Sequence, residues 1–326
     1  MGLTRAAYAA AAAIFSLLAA GQASAQGDYP NRAIRMVVDT SPGGLTDILG
    51  RMAAEGLARE LGRQVVVENR AGAAGNMAIE YVMKSPADGY TLMICAGGNV
   101  VIKPFLDRSL AFDPLTDLVP VFNVAEAPHI LVVPAAFPAK TLAEFIDYAK
   151  ANPGKLYYGS AGNGSPPHLA MDRFARLAGV SMVHVPYKGV GQALPDLVAG
   201  RVQMMSMSYG SARPYLKSGA LRALAAGAKQ RLAGLPDVPT AAEAGLPAWQ
   251  MSAWFGIFAP RDTSPEIVRL LNEKLQAVID EPKARQRLLE LGAEPLGGPA
   301  PAFAERVRAD YRLWGQVVRE SGIKVE

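Results

Sequence analysis

The sequence lacks the residues on which several classes of protein depend. It has one cysteine, Cys95, among 326 residues, so no disulfide can form within the chain and a cysteine-rich zinc or iron–sulfur site is excluded. The three histidines, His129, His168 and His184, are far apart in the sequence and form no metal-binding motif. We therefore expect neither a metal ion nor a cofactor.

Charge and long apolar runs are also scarce. Charged residues make up 19% of the chain, and the 33 basic and 29 acidic residues form no basic run, which disfavours nucleic-acid binding. Beyond the amino terminus, no segment reaches the ~18 uninterrupted apolar residues of a membrane-spanning helix. Hydrophobic residues make up 50% of the chain, which is enough for a large core, and the length is typical of two domains.

The common signatures of nucleotide binding and of catalysis are missing. There is no G-x-G-x-x-G after the first predicted strand and no G-x-x-x-x-G-K-[ST]. The nearest approach to the G-x-S-x-G motif of serine hydrolases is Tyr158–Gly162, where Tyr158 stands at the first glycine position. A hydrolase also needs a histidine and an acid beside Ser160, and His168 lies in the same predicted loop–helix junction. We expect no enzyme and no catalytic residue, and an exported hydrolase stays the least favoured alternative.

The amino terminus has the three parts of a secretory signal peptide. Arg5 supplies the positive charge, residues 6–20 are almost wholly apolar, and Ala23-Ser24-Ala25 is a cleavage site of the A-x-A type. We predict that residues 1–25 are removed after Ala25 and that the mature chain, which starts at Gln26, is exported to the periplasm.

Strands and helices alternate along the rest of the chain. The first predicted unit has strands at Ile34–Asp39, Gln64–Glu68 and Tyr90–Ala96, with helices at Thr46–Leu61 and Ala78–Lys84. Its βαβαβ order predicts a parallel sheet covered by helices on both faces. The second unit has predicted strands at Ile130–Pro134, Leu156–Tyr158, Val183–Val185 and Val202–Ser206, with helices at Leu142–Ala151, His168–Ala178 and Val190–Ala199. Two more apolar runs, Leu221–Ala226 and Trp254–Ala259, precede predicted helices at Pro265–Asp280, Pro282–Leu291 and Phe303–Ser321. The fold class is therefore α/β, with two units in one chain.

A glycine-containing loop joins a strand to a helix in each unit. Ser41–Thr46 contains Gly43 and Gly44, and Gly159–Ser165 contains three short polar side chains. The N–H groups and the dipole at a helix N-terminus favour an anion, and ligands of open α/β sheets bind at the carboxyl ends of the strands. Either loop alone is as well explained as an ordinary turn, but the pair indicates a cleft that suits a carboxylate.

Short motifs spread along the mature chain resemble those of one family. They are Tyr29-Pro30, Val67–Gly72, Asp88–Leu92, Phe112–Pro114, Asn152–Leu156, Ser160–Ser165, His184–Gly189, Leu235–Thr240, Trp254–Gly256 and Leu291–Pro295. In this order they resemble the Bug-type extracytoplasmic solute receptors of tripartite tricarboxylate transporters, over nearly all of the mature chain.

The resemblance implies a two-lobed periplasmic binding protein of the type II, Venus-flytrap kind. Such a protein has two mostly parallel sheets flanked by helices, with a ligand cleft between the lobes. We assign residues 26–126 and 249–326 to lobe 1 and residues 127–248 to lobe 2. The implied function is capture of a small organic carboxylate and its delivery to the membrane permease subunits, and we expect a monomer. A receptor of the same fold that serves a histidine kinase sensor stays open as an alternative.

The resemblance places the ligand carboxylate on the two glycine loops. The residues implied are Ser41, Gly43, Gly44 and Thr46 in the first loop and Ala161, Gly162, Asn163 and Ser165 in the second. We expect more distal ligand contacts from Gly98 and Asn99, which follow the predicted strand that ends at Ala96. His168, at the start of a predicted helix, is a further candidate, and a purely structural position is its alternative.

Two departures from the family pattern bear on the expected ligand. The first loop of the family usually reads Pro-Phe-x-Pro-Gly-Gly, whereas this chain has Asp39-Thr40-Ser41-Pro42-Gly43-Gly44, so that Asp39 adds a negative charge near the mouth of the cleft. A Phe-Asp pair is common where this chain has Ser206 and Met207. Because that aspartate can bind an amino group, we expect a ligand without one, with apolar contact from Met207. The alternative is that the methionines of this strand belong to the core.

Three more residues beside the loops have two interpretations each. Asp47 is expected to cap or orient its helix, with Thr46 as the other candidate cap, rather than to touch the ligand. Tyr187 and Lys188 follow a predicted strand and either line the cleft or, in the case of Lys188, carry a solvated charge.

Overall fold

The computed structural model describes residues 29–72, 75–107, 110 and 112–322. The predicted signal peptide lies outside the described residues. The helices are α1 (Leu45–Leu61), α2 (Asn76–Met83), α3 (Gly97–Val101), α4 (Lys103–Leu106), α5 (Leu142–Ala151), α6 (Pro166–Ala178), α7 (Val190–Val198), α8 (Tyr209–Lys217), α9 (Pro265–Asp280), α10 (Pro282–Glu290) and α11 (Ala300–Ser321). The strands are β1 (Ile34–Val38), β2 (Val65–Asn69), β3 (Thr91–Ala96), β4 (Leu118–Pro134), β5 (Leu156–Ser160), β6 (Met182–Pro186), β7 (Met204–Ser208), β8 (Leu221–Ala226), β9 (Ser252–Pro260) and β10 (Glu294–Pro295).

The first predicted unit folds as the βαβαβ order indicates. Strand β1 pairs in parallel with β2 on one side and with β3 on the other, and helices α1 and α2 make the two crossovers. Alternate side chains of β1 face opposite sides of the sheet. Met36 and Val38 pack in one buried cluster with Leu49 of α1, whereas Val37 packs in another with Ile79 of α2. The carboxyl ends of β1, β2 and β3 therefore lie at one edge.

Strand β4 is much longer than predicted and joins the two halves of the sheet. Its Leu118–Pro128 part pairs antiparallel with β9, and its His129–Pro134 part pairs antiparallel with β7 and β8. Only Ile130–Pro134 was predicted from the sequence. The first part has no regular alternation, and its register shifts twice along β9, between Pro120 and Phe122 and again between Asn123 and Ala125.

The second unit also contains a parallel core with antiparallel neighbours. Strand β5 pairs in parallel with β6 and β7, and β7 pairs antiparallel with β4. The sheet order is β2-β1-β3-β9-β4-β7-β5-β6, with β8 and β10 also paired to β4. The α/β, two-lobed class is thus confirmed, and the two predicted sheets form one curled, mixed sheet that is continuous through β4.

The lobe boundaries stay a prediction, and two contacts bear on them. Strand β4 changes partners between Pro128 and His129. The indole Nε1–H of Trp249, which is fully buried, donates to the Ala170 carbonyl of α6 at 2.9 Å. Trp249 therefore packs with the helices of the second unit.

The single cysteine lies in the core. Cys95 on β3 is 0% exposed, and burial raises the pKa of its thiol well above the usual value. A buried thiol of raised pKa is unreactive because the thiolate is the nucleophile. Cys95 is therefore a buried residue of the core rather than an exposed reactive thiol.

A buried histidine makes stability depend on pH. His129 on β4 is 5% exposed, its Nδ1 lies 3.1 Å from Ser206 Oγ on β7, and burial lowers its pKa to about 4. The unfolded chain takes up this proton near pH 6.5, so the contribution to stability is complete above that pH and is lost as the pH falls towards 4. The shift corresponds to ~3 kcal/mol.

We expect His129→Asn, which keeps a polar partner for Ser206, to remove ~2 kcal/mol of the loss of stability between pH 7 and pH 4.5. Urea unfolding of both proteins at pH 7 and pH 4.5 measures it. An identical loss in the two proteins would show that His129 does not carry this pH dependence.

Candidate ligand-binding site between the two lobes

The first glycine loop leads into a helix whose N-terminus is not capped by a side chain. Gly43 has a positive φ of 89°, and Gly44 is the N-cap of α1 in an extended conformation, with no side chain bonded to the helix start. The expectation that Thr46 or Asp47 caps α1 was wrong, because the helix begins at Leu45, ahead of both. Residues 41–44 are exposed, so the loop borders open space.

The buried carboxylate of Asp47 holds this loop in place. Its Oδ2 accepts the Gly43 N–H at 2.9 Å, and its Oδ1 accepts from Asn69 Nδ2 at 2.9 Å and lies 3.0 Å from Arg51 Nη2. The same Asn69 Nδ2 donates to the Thr40 carbonyl at 2.9 Å. Burial alone would raise the pKa of Asp47, but the bonds from Arg51, Gly43 and Asn69 hold it at about 2. Asp47 therefore orients the loop as an anion.

Three consecutive backbone donors stay free at the start of α1. In the described part of the chain, the N–H groups of Gly44, Leu45 and Thr46 have no hydrogen-bond acceptor, whereas the N–H of Gly43 is bonded to Asp47. The first N–H groups of a helix have no partner within it, and the helix dipole adds positive potential there. This arrangement is typical of anion sites. Leu45 is a donor that the sequence-based site did not include.

The second glycine loop, by contrast, is largely bonded to itself. The N–H of Gly162 donates to Ser160 Oγ at 3.0 Å, that of Gly164 to His168 Nδ1 at 3.0 Å, and that of Ser165 to the Gly162 carbonyl at 3.2 Å. Gly162 and Gly164 have φ values of 119° and 71°, which suit glycine. The loop is thus a preformed turn, in which the N–H groups of Ala161 and Asn163, both predicted site residues, have no acceptor among the described residues.

The helix after this loop offers no free donor in its first turn. Pro166 and Pro167 have no N–H, and the N–H of His168 is bonded to Ser165 Oγ at 3.4 Å, which makes Ser165 the N-cap of α6. The expectation that both loops present open helix N-termini was therefore wrong for the second. The exposed Asn163 is the part of this loop that faces solvent most fully.

Two stacked histidines support the second loop. The rings of His168 and His184 lie 3.7 Å apart, and His184 Nε2 lies 2.7 Å from Ser160 Oγ. Burial and the neighbouring His168 lower the pKa of His184 to about 4, and burial also lowers the pKa of His168. Both rings are therefore neutral near pH 7. Sequence analysis paired Ser160 with His168, but the structure pairs it with His184.

The Ser160–His184 pair has the geometry of a loop support and not of a nucleophile. Ser160 is 0% exposed, and its Oγ is already within hydrogen-bond distance of both the N–H and the carbonyl of Gly162. In the described residues, no carboxylate is hydrogen-bonded to His184 to complete a catalytic triad. The arrangement gives no support to a hydrolase.

The two lobes meet between Gly98 and the start of α6. A β-carbon built on Gly98 would lie 3.9 Å from Cγ of Pro166. Gly98 lies on α3, directly after β3, so the carboxyl edge of the first unit faces the second loop here. The structure therefore brings the neighbourhood of both predicted loops to one junction.

Three predicted side chains are placed differently from the expectation. Asn99 does not project freely, because its Nδ2 donates to Asp39 Oδ2 at 2.6 Å. Asp39 is 2% exposed, so its charge is not at the mouth of the cleft. Met207 is 0% exposed and packs in a core cluster with Ile130 and Leu197. An apolar ligand contact by Met207 is therefore replaced by a core position, the alternative given above.

Tyr187 and Lys188, which follow β6, have different surroundings. The Tyr187 hydroxyl donates to Asp196 Oδ2 at 2.6 Å, and Arg201 pairs with the other oxygen of the same carboxylate. Tyr187 thus anchors the loop before α7. Lys188 is exposed, in keeping with a solvated charge.

Sequence comparisons identify the family of the chain. Residues 49–323 match the model of the tripartite tricarboxylate transporter family receptor. A Cupriavidus necator protein encoded in the gbd 5' region is 40% identical over 98% of this chain and 97% of its own length. Protein BugT of Bordetella pertussis is 35% identical over 91% of this chain and 92% of its own.

Solved structures with the same fold include carboxylate complexes. An R. palustris protein with adipate superposes with a TM-score of 0.76 and 37% identity, over 91% of this chain and 99% of that one. MatC from Rhodopseudomonas palustris with bound malate gives a TM-score of 0.72 and 35% identity, over 89% of this chain and 100% of that one.

Proposed function

The chain belongs to the tripartite tricarboxylate transporter receptor family, and we propose that it captures a small organic carboxylate between its lobes for the membrane subunits of such a transporter. The observation that carries this proposal is the row of free N–H groups at Gly44, Leu45 and Thr46, at the start of a 17-residue helix. An anion bound there gains hydrogen bonds and the favourable end of the helix dipole without a buried counter-ion.

The two lobes contribute unequally to capture. Lobe 1 supplies three consecutive free donors at a helix start, whereas the loop of lobe 2 is largely bonded to itself and leaves the N–H groups of Ala161 and Asn163 free. Lobe 2 therefore acts as a cover, with Asn163 as its most exposed polar side chain at the junction. Closing the cover excludes water and strengthens the hydrogen bonds of the trapped carboxylate.

The relatives support the ligand class. One structural relative contains adipate and another contains malate, and both are small dicarboxylates. We infer a mono- or dicarboxylate with an aliphatic or aromatic body as the ligand of this chain.

Export to the periplasm is part of the same proposal. The three-part amino terminus with its Ala23-Ser24-Ala25 site supports cleavage after Ala25, and amino-terminal sequencing of the exported protein, starting at Gln26, checks it. In the part of the chain that the structure describes, no helix combines the length and the apolarity needed to cross a bilayer. The partners inferred are the permease subunits, and the receptor is inferred to act as a monomer.

A thermal-shift screen of the mature chain tests the proposed function. We expect adipate, malate or related carboxylates to stabilise the protein by about 2.7 kcal/mol at one hundred times the dissociation constant. Neutral sugars and cationic amines serve as the comparison set. Stabilisation by those compounds alone would contradict the proposal.

A further inference from the structure

Asp39 has a carboxylate oxygen without a hydrogen-bond partner. It is the first residue after β1 and is 2% exposed. Its Oδ2 accepts from Asn99 Nδ2 at 2.6 Å, whereas its Oδ1 is buried and receives no hydrogen bond from any described residue. Since a buried acceptor without a donor costs free energy, this oxygen calls for an explanation.

The backbone of a glycine lies against the Asp39–Asn99 pair. Gly75 has a φ of 96°, and a β-carbon there would lie 2.7 Å from Asn99 Nδ2 and 3.3 Å from Asp39 Oδ2. A side chain at this position is therefore excluded. The next residue, Asn76, begins α2, and its Oδ1 is a second buried acceptor that no described residue bonds.

Asp39 and its partner Asn99 lie at the carboxyl edge of lobe 1, with Asp39 buried inward of the mouth of the cleft. Asp39 follows β1 and Asn99 follows β3, and these strands are parallel neighbours. Asn99 is adjacent to Gly98, where lobe 1 meets Pro166 of lobe 2. The free donors of Gly44–Thr46 follow the same strand end as Asp39.

The charge of Asp39 is compensated only in part. Burial raises the pKa of Asp39 to about 6, against the opposing effects of the Asn99 hydrogen bond and of the nearby backbone N–H groups of Ala96 and of Asp39 itself, which lie outside hydrogen-bond geometry to Oδ1. Lys103 is the nearby cation that favours its charged form, and it has the smallest of these effects. A donor group placed against Oδ1 would therefore relieve a charge that the protein compensates incompletely.

We propose that Asp39 determines specificity: its free oxygen accepts a hydrogen bond from a donor group that the carboxylate ligand carries, a hydroxyl or an ammonium group. This inference rests on the proposed function and deepens it. Position 207 on β7, where the family commonly has an aspartate, holds a methionine in this chain, and Asp39 supplies an acid directly after β1 instead.

Calorimetry with matched ligands tests the inference. The probes are succinate, malate and aspartate, which share a four-carbon dicarboxylate and differ in carrying no donor, a hydroxyl or an ammonium group. Adipate with 2-hydroxyadipate and benzoate with 4-hydroxybenzoate extend the comparison to longer and aromatic bodies. We expect a donor-bearing member to bind about tenfold or more tightly than its parent, and the malate and aspartate arms distinguish hydroxyl from ammonium.

In the Asp39→Asn variant, the single amide oxygen is needed to accept the hydrogen bond from Asn99. The NH2 group therefore stands where Oδ1 was, and a donor replaces the free acceptor. We expect this variant to lose the preference for the donor-bearing ligand while still binding the parent carboxylate. Asp39→Ser is the second variant, and Asp147→Asn, an exposed acid on α5, is the control with the same change in net charge. Circular dichroism checks the fold of each.

The outcomes separate the inference from the proposed function. Equal or tighter binding of the unsubstituted members, or a preference that survives in folded Asp39→Asn and Asp39→Ser, would overturn the role of Asp39 and leave the receptor function standing. Failure of every carboxylate to bind would overturn both.

Discussion

Gly44→Val is expected to weaken carboxylate binding about a hundredfold or more, equivalent to about 2.8 kcal/mol, without disturbing the fold. Gly44 has φ −74° and ψ 164°, which valine adopts readily. A β-carbon there would meet no atom closer than 3.8 Å, so the protein has room for the side chain. The added methyl groups stand beside the free N–H groups of residues 44–46 and occupy the space of the bound anion.

Titration calorimetry with the carboxylate selected by the thermal-shift screen measures this effect. Gly191→Val is the matched control, because Gly191 is also exposed at a helix start and has no neighbouring atom within 4 Å. Gly44→Ala is expected to fall between the wild type and Gly44→Val. Normal binding by a folded Gly44→Val protein would place the anion elsewhere.

Asp47→Ala is expected to lower both stability and affinity. The substitution leaves the Gly43 N–H, one Asn69 donor and Arg51 without their shared acceptor. Hydrogen bonds to a charged group contribute about 1.5–3 kcal/mol each, and because they share one carboxylate we expect a total loss of about 3 kcal/mol in the free energy of unfolding. The loop that positions Gly44 loses its anchor, so ligand affinity should fall about tenfold.

Urea unfolding and calorimetry of Asp47→Ala check these values. Glu55→Ala is the control on the same helix, since it also removes a partner from an arginine four residues on, at an exposed site where the expected cost is below ~0.5 kcal/mol. Because the pKa of Asp47 is held at about 2, its contribution is present above about pH 4 and is lost as the pH falls towards 2. Equal stability of the two variants would contradict the anchoring role.

Regular hydrophobic patterns predicted most of the fold. Helices α5 and α9 have the predicted bounds, and α1 ends at the predicted Leu61, where Gly62 takes the left-handed conformation that closes many helices. The first part of β4 was missed because Pro120, Asn123 and Glu126 interrupt its apolar pattern, and its pairing with β9 is set by residues far away in the chain. Long-range pairing of this kind leaves no local signal.

The meeting of the two predicted loops at one junction was predictable, but the hydrogen bonds of their polar groups were not. Strand ends and glycine loops identified both sides of the junction. Pro166 and Pro167 have no N–H group, so the sequence already indicated that α6 lacks free donors at its start. This signal could have corrected the expectation that both loops present open helix N-termini. The Asp39–Asn99 pair could have been inferred from two polar residues that follow neighbouring parallel strands. The partners of Asp47 and of Ser160 depend on tertiary contacts and could not.

The central claim is that the backbone donors at the start of α1 hold the ligand carboxylate. A crystal structure of the mature protein with the carboxylate selected by the thermal-shift screen tests it most directly. The account predicts carboxylate oxygens within about 2.7–3.2 Å of the N–H groups of Gly44, Leu45 and Thr46, with the second loop closed over the ligand. A carboxylate held instead by a side-chain cation such as Lys103 or Lys188, with those N–H groups left open to water, would contradict it.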